Sequence, residues 1–316
     1  MQKKFKSVKE LISNKNIVLI FILLIIIAVV TFYDPRFISR SNIQNIMQQI
    51  SVLGIVSLGM NILMISGGLD LSVGMNISLS VCVITVLFNN GFSLALSIIT
   101  GFLVSILCGF VNGVVIAKSH GLPFVITLGT MSIFNGIALV ITNGESRSLG
   151  GNFTYIGQGK IGILPISTII FLLVLILTYI ILNITKLGRL IYAIGGNEKA
   201  AYFSGIKVDR VKMLLYTLNG IIIGVASLVL ISRLGSAVPA TGSGYELRSI
   251  AAVVIGGTSL FGGRGNVLGC FLGITLMGVI SNALNILNVS YFYQGTILGL
   301  VIIIAAVIST IFERKG

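Results

Sequence analysis

Long apolar runs dominate this sequence and constrain its fold more than any other feature. A helix needs about 20 mostly apolar residues to cross the hydrocarbon core of a bilayer. Ten segments reach or approach that length, and the eighth is short and interrupted by glycine. They cover residues 17–33, 44–66, 72–88, 93–117, 122–142, 165–184, 213–232, 247–260, 267–287 and 292–311. The sequence therefore predicts an all-α, polytopic membrane protein with about ten transmembrane helices, in which residues 1–316 form a single transmembrane domain.

The scarce charged residues support this fold and orient it. Only 9% of the residues are charged, against about 25% in an ordinary soluble domain, which excludes a soluble enzyme. An even number of spans places both termini on one side, and the loops of that side would carry 15 of the 21 basic residues. Because cytoplasmic loops are enriched in Lys and Arg, we expect both termini in the cytoplasm. The net charge of +13 is then a sign of topology and not of a nucleic-acid partner.

Two similar motifs open the third and the eighth span. Residues 68–71 read Gly-Leu-Asp-Leu, and residues 244–247 read Gly-Tyr-Glu-Leu. The fourth and ninth spans also share a Phe-Leu pair with a glycine seven residues after the Phe. The members of each pair are five spans apart, and since five is odd the second copy would be inverted. The sequence thus allows a five-helix inverted repeat, an arrangement found in many transporters.

Two acidic residues, Asp70 and Glu246, lie at the starts of these spans. Ionisable side chains at membrane depth are costly and usually functional, so both are candidates for a translocation pathway. Each also has a simpler interpretation as a helix cap, because its carboxylate could accept hydrogen bonds from the first free amides and oppose the helix dipole. Ser66, in the same loop as Asp70, is a third candidate.

Asparagines within or near the ends of the spans form a second polar set: Asn61, Asn112, Asn135, Asn219, Asn282 and Asn285. Buried amides must find hydrogen-bond partners, so bonds between helices are their simplest explanation. A subset could instead line a hydrophilic pathway, and Asn61 and Asn112 are the candidates for that role.

Residues 185–212 form the longest polar segment on the predicted cytoplasmic side. Adjacent spans can be joined by far fewer residues, and the positive-inside rule explains the basic residues of the segment but not its length. Ala200, Ala201, Ser204 and Gly205 would give a short helix a face of small residues. A smooth face flanked by charge suits docking into the groove of a partner protein, and a plain connector is the alternative.

The sequence offers no chemistry of its own. His120 is the only histidine, and the three cysteines lie singly within apolar runs, so we expect no metal site. No G-x-x-x-x-G-K-[ST] pattern occurs, so this chain would not hold ATP through a P-loop. Eight scattered acidic residues do not form the active site of a membrane enzyme. We therefore expect no catalytic residue and no cofactor in this chain.

Three segments resemble the membrane permeases of ribose-type ABC sugar importers. They are residues 66–74, residues 188–206 with their Gly-Gly-Asn and small-residue motifs, and residues 250–265 with their repeated glycines. The three occur in order on ten spans, and the resemblance covers essentially the whole chain. It implies import of a ribose-like monosaccharide. A nucleoside, an autoinducer sugar or an amino acid is the alternative cargo, and an ion-driven secondary transporter using the two helix-start acids is a further alternative.

The resemblance also implies a set of partners. Permeases of this kind usually form homodimers in the bacterial cell (inner) membrane and dock on a cytoplasmic ATPase with two nucleotide-binding modules, which holds ATP and Mg. An extracytoplasmic binding protein delivers the sugar. By this resemblance, the residues that couple the permease to the ATPase are Gly195, Gly196, Asn197, Ala200, Ala201, Ser204 and Gly205.

Overall fold

The computed structural model describes residues 15–290 together with residues 293, 295–297, 299, 300 and 303. The first five helices are α1 (Lys15–Tyr33), α2 (Arg40–Ile65), α3 (Val73–Asn89), α4 (Leu94–Ser119) and α5 (Pro123–Thr142), with a 3-10 turn at Pro35–Ile38. The others are α6 (Tyr155–Gln158), α7 (Ile166–Asn183), α8 (Lys186–Gly196), α9 (Glu198–Phe203), α10 (Val208–Leu234), α11 (Tyr245–Ile255) and α12 (Val267–Ile286). Two short antiparallel ladders pair β1 (Arg147–Ser148) with β4 (Ser236–Ala237) and β2 (Lys160–Ile161) with β3 (Leu164–Pro165).

The helices confirm the prediction of an all-α polytopic membrane fold. Seven of them, α1, α2, α4, α5, α7, α10 and α12, are long and apolar enough to cross a membrane. The 17 residues of α3 come close to that length. The eighth predicted span is a half-length helix, because the 11 residues of α11 would cover only about half of a 30 Å hydrocarbon core at about 1.5 Å per residue. The tenth predicted span, 292–311, lies mostly outside the described residues.

Apolar side chains cover the outside of the bundle as well as its centre. Most of α2, α10 and α12 is buried, whereas α1 and α5 are largely exposed. The exposed side chains on these outer helices include Phe21, Phe32 and Val140. An apolar outer surface suits contact with lipid, and helices satisfy their own backbone hydrogen bonds there.

Facing glycines bring α4 and α10 unusually close together. A Cβ added at Gly109 would lie 2.8 Å from the Cα of Gly220, and one added at Gly113 would lie 2.9 Å from the carbonyl oxygen of Met213. The Oγ of Ser105 donates a hydrogen bond of 2.9 Å to the carbonyl oxygen of Gly220. Small residues permit such close crossings in membrane helices, so these two helices form a tightly packed unit.

The packing of the central helices has the exchange symmetry that an inverted repeat requires. The motifs pair α3 with α11 and α4 with α12, and the same spacing pairs α2 with α10. Helix α3 packs on α4, and the corresponding pair α11 and α12 are also in contact. Helix α2 packs on α11 and α12, and its counterpart α10 packs on α3 and α4. Each of these contacts therefore has a counterpart in the other half of the molecule.

Contacts between loops distinguish the two ends of the bundle. At one end, the loop after α2, the α8–α9 segment and the loop after α11 meet, and His120 lies 3.9 Å from Asp209. At the other end, β1 pairs with β4, and the Nζ of Lys160 donates a 2.5 Å hydrogen bond to Gln44. The loops at the first end are those that the basic residues predict to share one side of the membrane.

Candidate functional site

The loop between α2 and α3 turns back into the bundle. Its Asp70 accepts hydrogen bonds from Asn112, seven residues before the end of α4, and from Asn219, eleven residues after the start of α10. These positions are about two and three helical turns from that end of the bundle. Helix α3 therefore begins inside the protein, which explains why it is shorter than its neighbours.

Helix α11 begins against the first turn of α3. A Cβ added at Gly242 would lie 2.9 Å from the carbonyl carbon of Gly74, and the backbone N–H of Gly242 donates a 2.9 Å hydrogen bond to the Oγ of Ser78. From this meeting point α3 runs to the β1 end, where Asn89 contacts Ser148, and α11 runs to the opposite end. Two positive helix ends thus face one interior region, as at transporter sites built from discontinuous helices.

Asp70 is the centre of a buried hydrogen-bond network. Only 1% of the residue is exposed. Its Oδ1 accepts from the N–H of Ser72 (2.9 Å), the Oγ of Ser72 (2.6 Å) and the Nδ2 of Asn112 (3.4 Å), and its Oδ2 accepts from the Nδ2 of Asn219 (3.0 Å). Among the described residues, Asp70 forms no ion pair. The capping interpretation therefore explains the Ser72 amide alone, and the asparagines join Asp70 to α4 and α10.

Two further side chains fix the backbone of this loop. The hydroxyl of Tyr216, on α10, donates to the carbonyl oxygen of Leu69 (2.9 Å) and accepts from the N–H of the same residue (3.2 Å). The Oγ1 of Thr127, on α5, accepts from the N–H of Leu71 (3.1 Å). Side chains of α4, α5 and α10 thus hold a loop whose buried backbone would otherwise lack partners.

Glu246 lies in different surroundings at the start of α11. It is 7% exposed, and its Oε1 accepts a 3.0 Å hydrogen bond from the N–H of Gly244. Its Oε2 is buried without a hydrogen-bond partner. That oxygen packs against Gly74, where an added Cβ would overlap it. Glu246 therefore fills the contact between the starts of α3 and α11 without a hydrogen bond across it.

The remaining predicted candidates occupy separate positions. The Oδ1 of Asn61, on α2, accepts a 2.7 Å hydrogen bond from the Oγ1 of Thr258 in the loop after α11. The Oγ of Ser66 donates to the carbonyl oxygen of Leu63 at the end of α2 (2.7 Å). Ser66 thus makes a local helix-end bond, whereas Asn61 connects two elements. Asn282 forms a reciprocal amide pair with Asn42, as expected for an asparagine that joins two helices.

Several buried polar atoms on α2, α3, α4 and α10 have no hydrogen-bond partner among the described residues. They are the Oγ of Ser57, the Nδ2 of Asn61 and the Oδ1 atoms of Asn76, Asn112 and Asn219. Buried polar groups normally find partners, and these atoms offer both donors and acceptors without a net charge. Such a set can hydrogen-bond water or a hydroxyl-rich solute. Within the described residues no group of three His, Cys, Asp or Glu could hold a metal ion.

The α8–α9 segment presents a different surface from the one predicted. Ala201 is only 4% exposed and packs into the protein, so the exposed part of the small-residue face is Ala200, Ser204 and Gly205. Beside them, Tyr202 and Phe203 are 67% and 84% exposed, with ring centroids 5.8 Å apart. Exposed aromatic side chains are typical anchors of protein interfaces.

Helix α9 is held firmly despite its six residues. Asn197 begins it, and its Oδ1 accepts a 3.0 Å hydrogen bond from the N–H of Ala200. Lys212, on α10, forms a 2.6 Å ion pair with Glu198. Gly205, with a φ of 84°, follows the helix in the left-handed conformation that glycine favours. The aromatic pair is therefore presented on an anchored element.

Sequence reasoning missed Tyr216, Asn219, Tyr202 and Phe203 as individual site residues. Asn219 belongs to the asparagine set, but nothing in its neighbourhood along the chain distinguishes it from Asn135.

Comparisons with known proteins identify the family of this chain. The family model of the permease component of branched-chain amino acid transport systems matches residues 42–306. A ribose import permease protein of Bacillus subtilis (strain 168) is 41% identical over 289 residues, which cover 90% of this chain and 90% of the relative. A D-allose transport system permease protein of Escherichia coli (strain K12) is 37% identical over 299 residues, which cover 93% of this chain and 91% of the relative.

A ribose import permease protein of Haemophilus influenzae is 39% identical over 298 residues, which cover 93% of this chain and 92% of the relative. No solved structure matches the chain. Because the family model and the relatives each span most of the sequence, the predicted resemblance to ribose-type sugar permeases is confirmed. The chain belongs to the family of permease components of branched-chain amino acid transport systems, whose members are membrane transport components and not enzymes.

Proposed function

We propose that this chain is the membrane permease subunit of an ATP-binding-cassette importer that moves a ribose-like monosaccharide into the cytoplasm. The observation that carries the proposal is the anchored helix α9. It presents an exposed aromatic pair at the end of the bundle opposite the β1–β4 pair. The names of two similar proteins, both ribose import permeases, support the cargo. An importer whose ATP is hydrolysed on another chain needs such a surface to receive the work of that hydrolysis.

The aromatic pair suits insertion into a groove of a cytoplasmic ATPase. Tyr202 and Phe203 are the large apolar side chains of α9, and Ala200, Ser204 and Gly205 beside them leave room for a close approach. ATP and Mg would be held on the ATPase. In this arrangement the end that carries α9 faces the cytoplasm, and both termini lie on that side of the bacterial inner membrane.

The interior region between α3 and α11 suits a neutral, hydroxyl-rich cargo. The unpartnered Oδ1 atoms of Asn112 and Asn219 supply acceptors, and the unpartnered Nδ2 of Asn61, beside the loop after α11, supplies a donor. The free oxygen of Glu246 supplies another acceptor where the starts of α3 and α11 meet. Sugar hydroxyls both donate and accept hydrogen bonds, so they match this mixed set. The binding protein outside the membrane would supply the affinity, and two copies of the permease would form the complete channel.

An amino acid is the second candidate, because the family description names branched-chain amino acids. Its ammonium and carboxylate groups would require an acid and a base in the interior. Asp70 is held there by neutral donors, and within the described residues it faces no basic partner. A thermal-shift screen of the cognate binding protein with sugars, nucleosides and amino acids decides between these cargoes.

The test of docking is Phe203→Ala in the permease coexpressed with its ATPase and binding protein. We expect association with the ATPase, measured by copurification, to weaken by about tenfold or more because an interface anchor is lost. Uptake of labelled ribose should fall with it. Tyr155→Ala, which removes a 70% exposed aromatic side chain at the other end of the bundle, is the matched control and should leave ATPase association unchanged.

Two results would contradict the proposal. Unchanged ATPase association in Phe203→Ala would remove α9 as the docking element. Uptake that continues without the ATPase and collapses when a proton uncoupler is added would favour the ion-driven alternative.

A further inference from the structure

Three chain segments meet backbone to backbone beside the docking helix. They are the end of α8 at Gly195, the end of α2 at Ile65 and the loop after α11 at Gly262 and Gly263. A Cβ added at Gly195 would overlap the carbonyl oxygen of Ile65 and lie 2.6 Å from the backbone nitrogen of Gly263. The atoms in the way belong to the backbone, so no side-chain rotation could relieve the overlap.

Hydrogen bonds and backbone conformation hold the same contact. The N–H of Gly263 donates a 2.8 Å hydrogen bond to the carbonyl oxygen of Ile65, and the hydroxyl of Tyr192, on α8, donates a 2.8 Å bond to the carbonyl oxygen of Gly265. Gly262 and Gly263 have φ values of 90° and 72°, in the left-handed region that glycine adopts at no steric cost. A Cβ at Gly262 would also lie 2.8 Å from the carbonyl oxygen of Gly195.

The contact lies between the docking helix and the buried Asp70 network. Gly195 comes three residues before Glu198, the first residue of α9. Ile65 comes five residues before Asp70 in the loop that leads to α3. The loop that contains Gly262 and Gly263 follows α11 directly. Both α3 and α11 are therefore connected through short loops to the point where α8 ends.

We infer that Gly195, Gly262 and Gly263 are positioning residues that carry a displacement of α9 to the starts of α3 and α11. The inference rests on the proposed function, because it takes α9 as the element that the ATPase moves. A close-packed backbone contact has no flexible side chain to absorb a displacement. From Ile65 the displacement reaches Asp70, whose bonds to Asn112 and Asn219 pass it to α4 and α10.

The test compares Gly195→Ala with Gly136→Ala in permease reconstituted with its ATPase and binding protein. Gly136, on α5, has nothing within 4 Å of an added Cβ, so its substitution should change no readout. The resemblance groups Gly195 with the coupling residues, but its close contacts are with Ile65 and Gly263 inside the protein, so the decisive readout for Gly195→Ala is the uptake obtained per ATP hydrolysed. Its ribose uptake per ATP hydrolysed should fall about 5- to 150-fold, the range of typical coupling free energies between sites.

Two readouts separate the inference from the proposed function. Copurification reports whether the ATPase docks, and the ratio of uptake to hydrolysis reports whether docking is relayed. An unchanged ratio in Gly195→Ala overturns the relay while leaving docking intact. Loss of association in Gly195→Ala also overturns it, because Gly195 would then belong to the docking surface.

Tyr192→Phe keeps the test decisive if Gly195→Ala does not reach the membrane. This substitution removes one hydroxyl and its bond to Gly265 without adding bulk. We expect uptake per ATP to fall by about twofold or more, with ATPase association unchanged. An unchanged ratio in a membrane-inserted Tyr192→Phe permease would overturn the relay.

Discussion

The loops that precede α3 and α11 share a sequence motif and an inverted place in the fold, but their acidic residues have different surroundings. Asp70 receives four hydrogen bonds, from Ser72, Asn112 and Asn219. Glu246 receives one, from Gly244 in its own loop, and its second oxygen has no partner. The shared motif therefore determines where each helix begins, whereas the neighbouring helices determine the surroundings of the acidic side chain.

The difference follows from what each loop packs against. The Asp70 loop lies among α4, α5 and α10, which present amide and hydroxyl side chains to it. The Glu246 loop lies on the backbone of α3, where Gly74 and Gly242 touch without side chains between them. Asp70 is thus fixed by directional bonds, and Glu246 is fixed by close packing.

The largest expected effect comes from Asp70→Ala. It would leave the amide group of Asn219 and the N–H and hydroxyl of Ser72 buried without their acceptor, whereas Asn112 would keep its 2.8 Å bond to the Oγ of Ser72. Each donor left unsatisfied costs about 1–3 kcal/mol, so the permease should lose about 3 kcal/mol or more of stability. The measurement is the thermal unfolding midpoint of the purified permease in detergent, together with its yield in the membrane.

Glu145→Ala is the control for this prediction. Glu145 forms a 3.0 Å ion pair with Arg147, and its side chain is 67% exposed. Exposed pairs contribute about 0–1 kcal/mol, so the midpoint should scarcely move. If Asp70→Ala unfolded at the same temperature as Glu145→Ala, Asp70 would not be the fixed point that its hydrogen bonds indicate.

A smaller effect is expected from Gly74→Ala, which tests whether packing holds the Glu246 loop. The new methyl group would overlap the Oε2 of Glu246 and the carbonyl oxygen of Gly242. Overpacking of this kind costs about 1–3 kcal/mol, and thermal unfolding measures it. Gly129→Ala, on α5, adds the same methyl group where nothing lies within 4 Å. Equal unfolding midpoints for Gly74→Ala and Gly129→Ala would show that the contact between α3 and the Glu246 loop accommodates an added methyl group at little cost.

Sequence reasoning located the helices because long apolar runs persist whatever the tertiary structure. The sequence also predicts a short eighth span interrupted by glycine, and α11 ends at Ile255, directly before Gly256 and Gly257. The bond between Asp70 and Asn219 could not be predicted, since Asn219 lies 149 residues away in the sequence. Such pairings depend on how α4 and α10 cross.

The docking element shows the same limit on a smaller scale. The length and small residues of 185–212 predict a short helix, and α9 is a short helix in that segment. Which face points outward depends on the contacts of α9 with α8 and α10. Those contacts bury Ala201 and expose Tyr202 and Phe203, and no local pattern in six residues determines that rotation.

The smallest effect on stability is expected from Glu246→Gln. This variant gives the sharpest test of the difference between Asp70 and Glu246. The side-chain amide keeps the shape of the carboxylate and can still accept from the N–H of Gly244, so stability should change by less than about 1 kcal/mol. If the free oxygen serves the cargo, ribose uptake should fall while the unfolding midpoint stays constant, because an acceptor has become a donor. Asp70→Asn should do the reverse: its free energy of unfolding should fall by about 1–3 kcal/mol, and the midpoint with it, because the new amide group meets only donors. Parallel changes in uptake and midpoint for both variants would mean that the two acids differ only in how much they stabilise the fold.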